Sequence, residues 1–207
     1  MKYYLYDEVV IHNKWDDFWI VIHGHVLNLS PLLKDRRDSW NDRLEYMTAF
    51  GGKDLSHLFH LNGLPKTETS PVTGKPRLLF PPILEVATSD FSKSKGRIWS
   101  QDPFYQIGCI TRRERKLRII NTLTGTTQYM KVCDEDTIYD IMVKYKALYN
   151  HHAGSYMWRK FSSGGKCPGK LRFNETLDEN GLVEEESEIE LPPPSIWLYY
   201  TDDITVA

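Results

Sequence analysis

Residues 17–30 have the sequence Asp-Phe-Trp-Ile-Val-Ile-His-Gly-His-Val-Leu-Asn-Leu-Ser, in which two apolar runs flank a His-Gly pair. These runs predict a strand over Phe18–His23 and a return strand over His25–Leu29, because His23-Gly24 supplies the turn between them. Ser30 and Pro31 then predict a short helix, since serine caps helix N-termini and proline is tolerated at the first helical position. A hairpin that leads into a helix indicates an α+β fold.

Further elements are predicted on both sides of this hairpin. A short strand is expected over Tyr3–Tyr6, followed by a helix that Asp7 caps and that continues to about His12. A second helix is expected over Asp42–Phe50, ending on Gly51-Gly52, and a third helix near Asp54.

The C-terminal half contains a second hairpin and a longer helix. Strands are predicted over Arg115–Leu123 and Thr126–Val132, joined by a turn at Thr124-Gly125. Asp134–Asp136 are expected to open the helix, with carboxylates in its favourable first turn. Apolar residues then recur at helical spacing, at Ile138, Ile141, Met142, Tyr145 and Leu148.

Three later strands and a core complete this half. The strands are expected over Tyr156–Phe161, Leu171–Phe173 and Ser195–Tyr200. The predicted core consists of Leu117, Ile119, Val132, Ile138, Ile141, Leu171, Leu182 and Trp197.

The distribution of turn-forming residues predicts two domains. Pro81 and Pro82 precede a stretch rich in serine, glycine and lysine, which is typical of a connector. We therefore expect domains over residues 1–85 and 113–207, joined by an ordered linker over residues 86–112. The linker's aromatic residues, among them Trp99, Phe104 and Tyr105, indicate that it packs on a domain.

Composition excludes several classes of protein. A net charge of −2 argues against nucleic-acid binding through a bulk positive field. No apolar run has the length of a membrane span, and Asp7 and Glu8 are unlike a secretory signal. The three cysteines are too widely spaced for a zinc motif or a disulfide framework. We expect an intracellular protein that binds neither nucleic acid nor membranes.

Two stretches of motifs resemble known families. Tyr3–Val9, Asp17–Ser30 and Gly51–Phe59 resemble a cytochrome b5 domain, in which the phenylalanine of the last motif packs under the haem. Lys116–Gly125 and Glu175–Leu182, with Asp136-Thr137-Ile138 between them, resemble a ubiquitin-like β-grasp domain. This order is similar to the cytochrome b5 domain-containing protein 1 family, which is associated with motile cilia and the radial spokes of the axoneme.

The resemblance raises the question of haem. The cytochrome b5 family holds the iron between two histidines, but here Arg36 stands where the first is expected and Leu64 where the second is expected. A guanidinium offers no lone pair to iron. His57 and His60 are alternative haem ligands, weighed against a role as exposed or partly buried polar side chains. We therefore expect no cofactor, with haem as the alternative.

Two other groups have alternative interpretations. His23 and His25 flank the hairpin turn and are either half of a metal site or exposed hairpin histidines. A basic cluster is either a patch for an acidic partner or a solvated strand start that offsets Glu184–Glu190. Its members are Arg112, Arg113, Arg115, Lys116 and Arg118.

No catalytic motif is present. The chain has no Gly-x-Ser-x-Gly or His-Glu-x-x-His sequence, and Ser162–Lys166 lacks the first glycine of a phosphate-binding loop. It ends in Ala207, so it is not expected to be conjugated as ubiquitin is. The resemblance then implies a non-catalytic subunit of the ciliary axoneme, in a radial spoke with other axonemal proteins as partners. The alternative is a haem-binding redox or sensing protein.

Overall fold

The computed structural model describes residues 1–34, 47–80, 99–160, 169–183 and 192–200. The chain divides into two compact units, Met1–Ile110 and Thr111–Ala207. Helices and strands are present in both, which confirms the mixed α+β class.

The first unit is built on a five-stranded sheet. Its strands are β1 (Tyr3–Tyr4), β2 (Asn13–Lys14), β3 (Asp17–Ile22), β4 (His25–Asn28) and β7 (Gln106–Ile110), while β5 (Thr67–Thr69) and β6 (Pro76–Leu78) form a separate pair. The order in the sheet is β1-β7-β4-β3-β2. The predicted β3–β4 hairpin is confirmed: Trp19 pairs with Asn28 and Ile22 with His25. His23 (φ 48°) and Gly24 (φ 79°) adopt the left-handed backbone that this turn requires.

The helices of this unit begin at other residues than predicted. Helix α1 (Tyr6–Val10) has Leu5 as its N-cap, and the Glu8 carboxylate accepts the Leu5 backbone N–H at 2.7 Å. Asp7 therefore lies in the first turn and does not cap it. Helix α2 (Ser30–Lys34) already includes Ser30, whose hydroxyl accepts the Phe18 N–H at 2.8 Å.

The next two predicted helices are only partly within the described ranges. Of the helix predicted over Asp42–Phe50, residues 42–46 lie outside them, and residues 47–48 are helical. The helix predicted near Asp54 is a single 3₁₀ turn, Ser56–Leu58.

The described part of the predicted linker, residues 99–112, belongs to the first unit as far as Ile110. Residues 86–98 lie outside the described ranges, but Trp99 begins a 3₁₀ turn, Trp99–Gln101, and is buried in the core. Strand β7 then lies between β1 and β4, where Cys109 is in register with both Tyr3 and His25. The boundary at residue 85 is therefore wrong: the sheet needs β7 to join β1 to β4, so the unit extends to Ile110.

The second unit is a five-stranded sheet with one long helix. Its elements are β8 (Glu114–Asn121), β9 (Thr126–Cys133), α3 (Ile138–Leu148), β10 (Tyr156–Lys160), β11 (Gly169–Lys170) and β12 (Ser195–Tyr200). The order is β11-β10-β12-β8-β9, with β12 parallel to β8 and the other pairs antiparallel. The predicted β8–β9 hairpin is confirmed. The strand predicted over Leu171–Phe173 is wrong, since β11 ends at Lys170.

Helix α3 begins later than the acidic residues suggested. Thr137 is its N-cap and accepts the Asp140 N–H at 3.2 Å, while the Asp140 carboxylate accepts the Thr137 N–H at 3.1 Å. Asp136 lies before the helix and is buried. The prediction that Asp134–Asp136 form the first turn is therefore wrong, because threonine and aspartate three residues apart cap the helix reciprocally.

The predicted core of the second unit is confirmed with one exception. Leu117, Ile119, Val132, Ile138, Ile141, Leu171 and Leu182 belong to a single buried cluster. Trp197 is only partly buried, because side chains alternate along β12 and Ile196 and Leu198 face the core instead.

Candidate functional site

The segment Gly51–Phe59, which carries the second cytochrome b5-like motif, docks along β3. The Gly52 N–H donates to Trp19 O (2.7 Å), the Val21 N–H to Lys53 O (2.9 Å), and the Leu55 N–H to Val21 O (2.8 Å). Gly52 has φ +70°, and a Cβ there would lie 2.6 Å from the Val10 carbonyl oxygen. A glycine is therefore required where the segment meets α1.

Two histidines lie in or just after the 3₁₀ turn Ser56–Leu58, and both are exposed to solvent. His57 is exposed, and its carbonyl accepts the Lys66 ammonium at 2.9 Å. His60 is also exposed, and its backbone N–H donates to Leu64 O at 2.8 Å. Leu64, at the second ligand position of the family, is half-buried.

Phe59 lies in an aromatic cluster made by the chain itself. Its ring centroid is 5.4 Å from that of Phe80 and 5.8 Å from that of Trp99, and Phe50 contacts Phe80 at 5.5 Å. Phe59 is only 1% exposed. A bis-histidine haem needs imidazoles on both faces and an apolar crevice beside this phenylalanine. Arg36 lies outside the described residues; among those described, the phenyl ring of Phe80 and the indole ring of Trp99 contact Phe59.

A small cleft opens beside the β3–β4 turn. It has a volume of about 250 Å³ and is lined by His23, His25, Asn62, Asp102 and Gln106, among others. His23 is half-buried and its Nε2–H donates to His60 O at 2.9 Å. This hydrogen bond links the β3–β4 hairpin to the residues that follow the 3₁₀ turn.

His25, by contrast, faces β7. Its Nδ1 lies 2.9 Å from Gln106 Nε2 and 3.4 Å from Cys109 Sγ. The sequence predicted no Cys, Asp or Glu that converges on these histidines. It missed Cys109 because the cysteine lies in the stretch predicted as a linker, and only the pairing of β7 with β4 brings the two residues together.

The basic cluster at the start of the second unit does not form one surface. Arg115 is fully buried and its guanidinium pairs with Asp178 and Asp134 and donates to Leu182 O. Lys116 and Arg118 lie on the other face of β8 because side chains alternate. A single patch containing Arg115 is therefore excluded.

The remaining arginines of this cluster have acidic neighbours in the same unit. Arg113 pairs with Asp134 at 3.0 Å, and Arg112 lies 3.8 Å from Glu135.

Two segments named in the sequence analysis lie outside the described residues. They are Glu184–Glu190 and Ser162–Lys166.

A second buried ion pair joins α3 to the loop before it. Asp136 accepts the Lys144 ammonium at 2.8 Å and the Cys133 N–H at 3.0 Å. Burial raises the pKa of this carboxyl above its ordinary value, an effect that the hydrogen bond and charge of Lys144 oppose. The pair supports the fold of the second unit.

Two groups of aromatic residues, near Trp99 and on β12, differ in their exposure. Around the first, Trp99 is buried, whereas Phe104 is 72% exposed and contacts Tyr105. In the second, Trp197 and Tyr199 are half-buried on the face of β12 opposite the core, with rings stacked at 6.2 Å.

Along the part of the chain that the structure describes, none of the helices is both long and apolar enough to cross a membrane. Among the same residues, no three His, Cys, Asp or Glu side chains are grouped so as to hold a metal ion.

Comparison with known proteins identifies relatives along almost the whole chain. No family model matches. The chain is 38% identical over 218 residues to a Xenopus laevis protein named Cytochrome b5 domain-containing protein 1, covering 99% of this chain and 96% of the relative. It is 33% identical over 225 residues to the Homo sapiens protein of the same name, covering 99% and 92%.

Two solved structures are similar at lower identity. The cytochrome b5 of Ostreococcus tauri virus 2 is 19% identical, with a TM-score of 0.28, over 52% of this chain and 95% of its own. A designed protein based on ubiquitin is 20% identical, with a TM-score of 0.31, over 43% and 90%.

Proposed function

Since the chain belongs to the cytochrome b5 domain-containing protein 1 family, we propose that it is a non-catalytic structural subunit of the ciliary axoneme. Its place would be in a radial spoke, where it supports motility and contacts other axonemal proteins. The proposed location rests on the association of this family with motile cilia and radial spokes. Neither nucleic acid nor membrane is a partner in this proposal.

The proposed architecture is a cytochrome b5-like first unit and a ubiquitin-like β-grasp second unit. The β3–β4 hairpin and the docked Gly51–Phe59 segment support the first assignment. The β8–β9 hairpin, helix α3 and the parallel pairing of β12 with β8 support the second. Two such units offer interaction surfaces without a catalytic centre.

The observation that carries the proposal is the outer aromatic face of the second unit, which we define as Ile120, Met157, Trp197 and Tyr199. Trp197 is in register with Ile120 and with Arg159, and Tyr199 is in register with Met157. All four residues of the outer aromatic face are half-buried on the sheet face opposite the core. Aromatic, methionine and arginine side chains are enriched at protein interfaces, so this face suits a docking surface.

The proposal assigns no haem to the protein. Arg36 and Leu64 stand where the family has its iron ligands, and the ring of Phe59 is covered by Phe80 and Trp99. A haem-binding redox or sensing role through His57 or His60 is the alternative. A visible absorption spectrum after haem addition separates the two.

The test is fractionation of motile cilia that carry the tagged full chain. We expect the chain to stay with the axoneme in detergent and to leave it in high salt together with spoke proteins. The Trp197→Ala, Tyr199→Ala double variant should shift into the detergent-soluble fraction, whereas the matched variant Val72→Ala, at a residue that is 90% exposed in the first unit, should not. Release of the unaltered chain by detergent, without spoke proteins, would overturn the proposal.

A further inference from the structure

Strand register alone brings a cysteine and a histidine together in the first unit. Cys109 on β7 is directly opposite His25 on β4 in an antiparallel pair. Residues so paired have Cβ atoms about 4.5–5.5 Å apart and share one face of the sheet. The side chains meet accordingly, with Cys109 Sγ at 3.4 Å from His25 Nδ1.

A methionine sulfur reaches the same point from the other side of β7. The Cys109 N–H donates to Lys2 O at 3.0 Å, which holds the backbone immediately after Met1. Met1 Sδ then lies 3.5 Å from Cys109 Sγ. The thioether of Met1 and the imidazole of His25 therefore each lie within 3.5 Å of the Cys109 thiol.

The hydrogen bond from Gln106 identifies which imidazole nitrogen of His25 carries the lone pair. Gln106 Nε2 lies 2.9 Å from His25 Nδ1, and an amide NH₂ group can only donate. Nδ1 is therefore the acceptor nitrogen of the ring, and a metal ion bound there would replace Gln106 as its partner. Neutral imidazole is the form that binds metals.

We propose that Met1, His25 and Cys109 form a binding site for Cu(I). Thioether and thiolate are soft ligands that select Cu(I), and imidazole also suits copper. Donors that share an ion at about 2.0–2.3 Å lie roughly 3.3–4.0 Å apart in tetrahedral or trigonal geometry. The separations of 3.4 Å and 3.5 Å from Cys109 Sγ fall in that range.

The donor set also discriminates against zinc. Structural zinc sites use four Cys, His or carboxylate ligands, and this cluster offers two of those types plus a thioether. On binding, the Cys109 thiol loses its proton and forms a sulfur–copper bond, so the thiolate charge balances that of Cu(I). One proton is released for each ion bound.

The site is tested by anaerobic titration of the reduced full chain with Cu(I) against bicinchoninate. We expect one ion per chain. Cys109→Ser and His25→Gln should each weaken binding by at least about 100-fold, beyond the 10–100-fold that loss of a ligand's supporting residue costs. Met1→Leu, released from a cleavable leader, should weaken it measurably. The matched controls Cys167→Ser and His23→Gln should leave the affinity unchanged.

X-ray absorption of the loaded protein gives an independent measurement. Two sulfur scatterers and one nitrogen scatterer around copper would support the site. Loss of binding in Cys167→Ser, or unchanged affinity in both His25→Gln and Met1→Leu, would overturn it, since copper would then bind another thiol or Cys109 alone. Thermal unfolding of each apo-protein separates a lost ligand from a lost fold.

Discussion

The indole ring of Trp99 stands perpendicular to the ring of Phe59, with the ring centroids 5.8 Å apart. Edge-to-face geometry of this kind stabilises aromatic pairs beyond the area they bury. Trp99 lies in the stretch predicted to link two domains, yet this contact makes it part of the first core. The same contact covers the phenylalanine that packs under haem in the cytochrome b5 family.

Replacing Trp99 by alanine should strongly destabilise the first unit. Trp99 is 5% exposed, and removal of a buried tryptophan costs about 3–5 kcal/mol in free energy of unfolding. Phe104→Ala, at a residue that is 72% exposed, should change it by less than about 0.5 kcal/mol. Urea unfolding, monitored through hydrogen exchange of the β7 amides, measures the free energy of unfolding of both variants. Equal decreases in the two variants would contradict the packing of Trp99.

Haem should not bind in the manner of cytochrome b5. We expect the purified chain, mixed with haem at equal concentration, to show no sharp low-spin bands on reduction, because the sequence comparison predicts Arg36 and Leu64 at the positions of the two imidazoles. If such bands appear, His57→Ala and His60→Ala should each be recorded. Loss of the bands in either would identify that histidine as a ligand and support the haem alternative.

Helix α3 should depend on its buried face. Ile138 and Ile141 are fully buried, so Ile138→Ala or Ile141→Ala should lower the free energy of unfolding by about 2–5 kcal/mol. Leu148, on the same helix, is 70% exposed, and Leu148→Ala should cost less than about 0.5 kcal/mol. Chemical denaturation followed by far-ultraviolet circular dichroism is the measurement. A loss below about 1 kcal/mol at both isoleucines would contradict the helix register.

The hairpins were predictable because their signals are local. His23-Gly24 and Thr124-Gly125 join apolar runs, and such turns fix the pairing of the flanking strands. Strand β7 was not predictable in the same way, since it pairs with strands about eighty or more residues distant in sequence and follows a turn-rich stretch. The Cys109–His25 contact was missed for this reason.

Burial within an element was harder to predict than the element itself. The size of Trp197 favoured the core, but the register of β12 on β8 places Ile196 opposite Ile119 and directs both of these side chains inward. Similarly, Arg115 belongs by composition to an exposed basic run, yet alternation along β8 turns it inward. The carboxylates of Asp178 and Asp134 and the carbonyl of Leu182 make that burial tolerable.

The buried Asp136–Lys144 pair should make stability depend on pH. Burial raises the pKa of Asp136, so the folded state takes up this proton at higher pH than the unfolded state. The stabilisation from the protonated carboxyl is present below its ordinary pKa and is lost as the pH rises through the folded-state pKa. Above the folded-state pKa, the ammonium of Lys144, 2.8 Å from the Asp136 carboxylate, must compensate the buried negative charge of Asp136.

Lys144→Met removes that compensation and should therefore cost most near neutral pH. Leaving one partner of a buried ion pair unpaired costs about 3–5 kcal/mol, and without Lys144 the pKa of Asp136 should rise further. The cost should shrink as the pH falls, because a protonated Asp136 needs no cation. Lys146→Met, at an exposed lysine of the same helix, should show neither effect. Denaturation at a series of pH values measures both, and a cost for Lys144→Met that is independent of pH would mean that the lysine acts through packing of its alkyl chain.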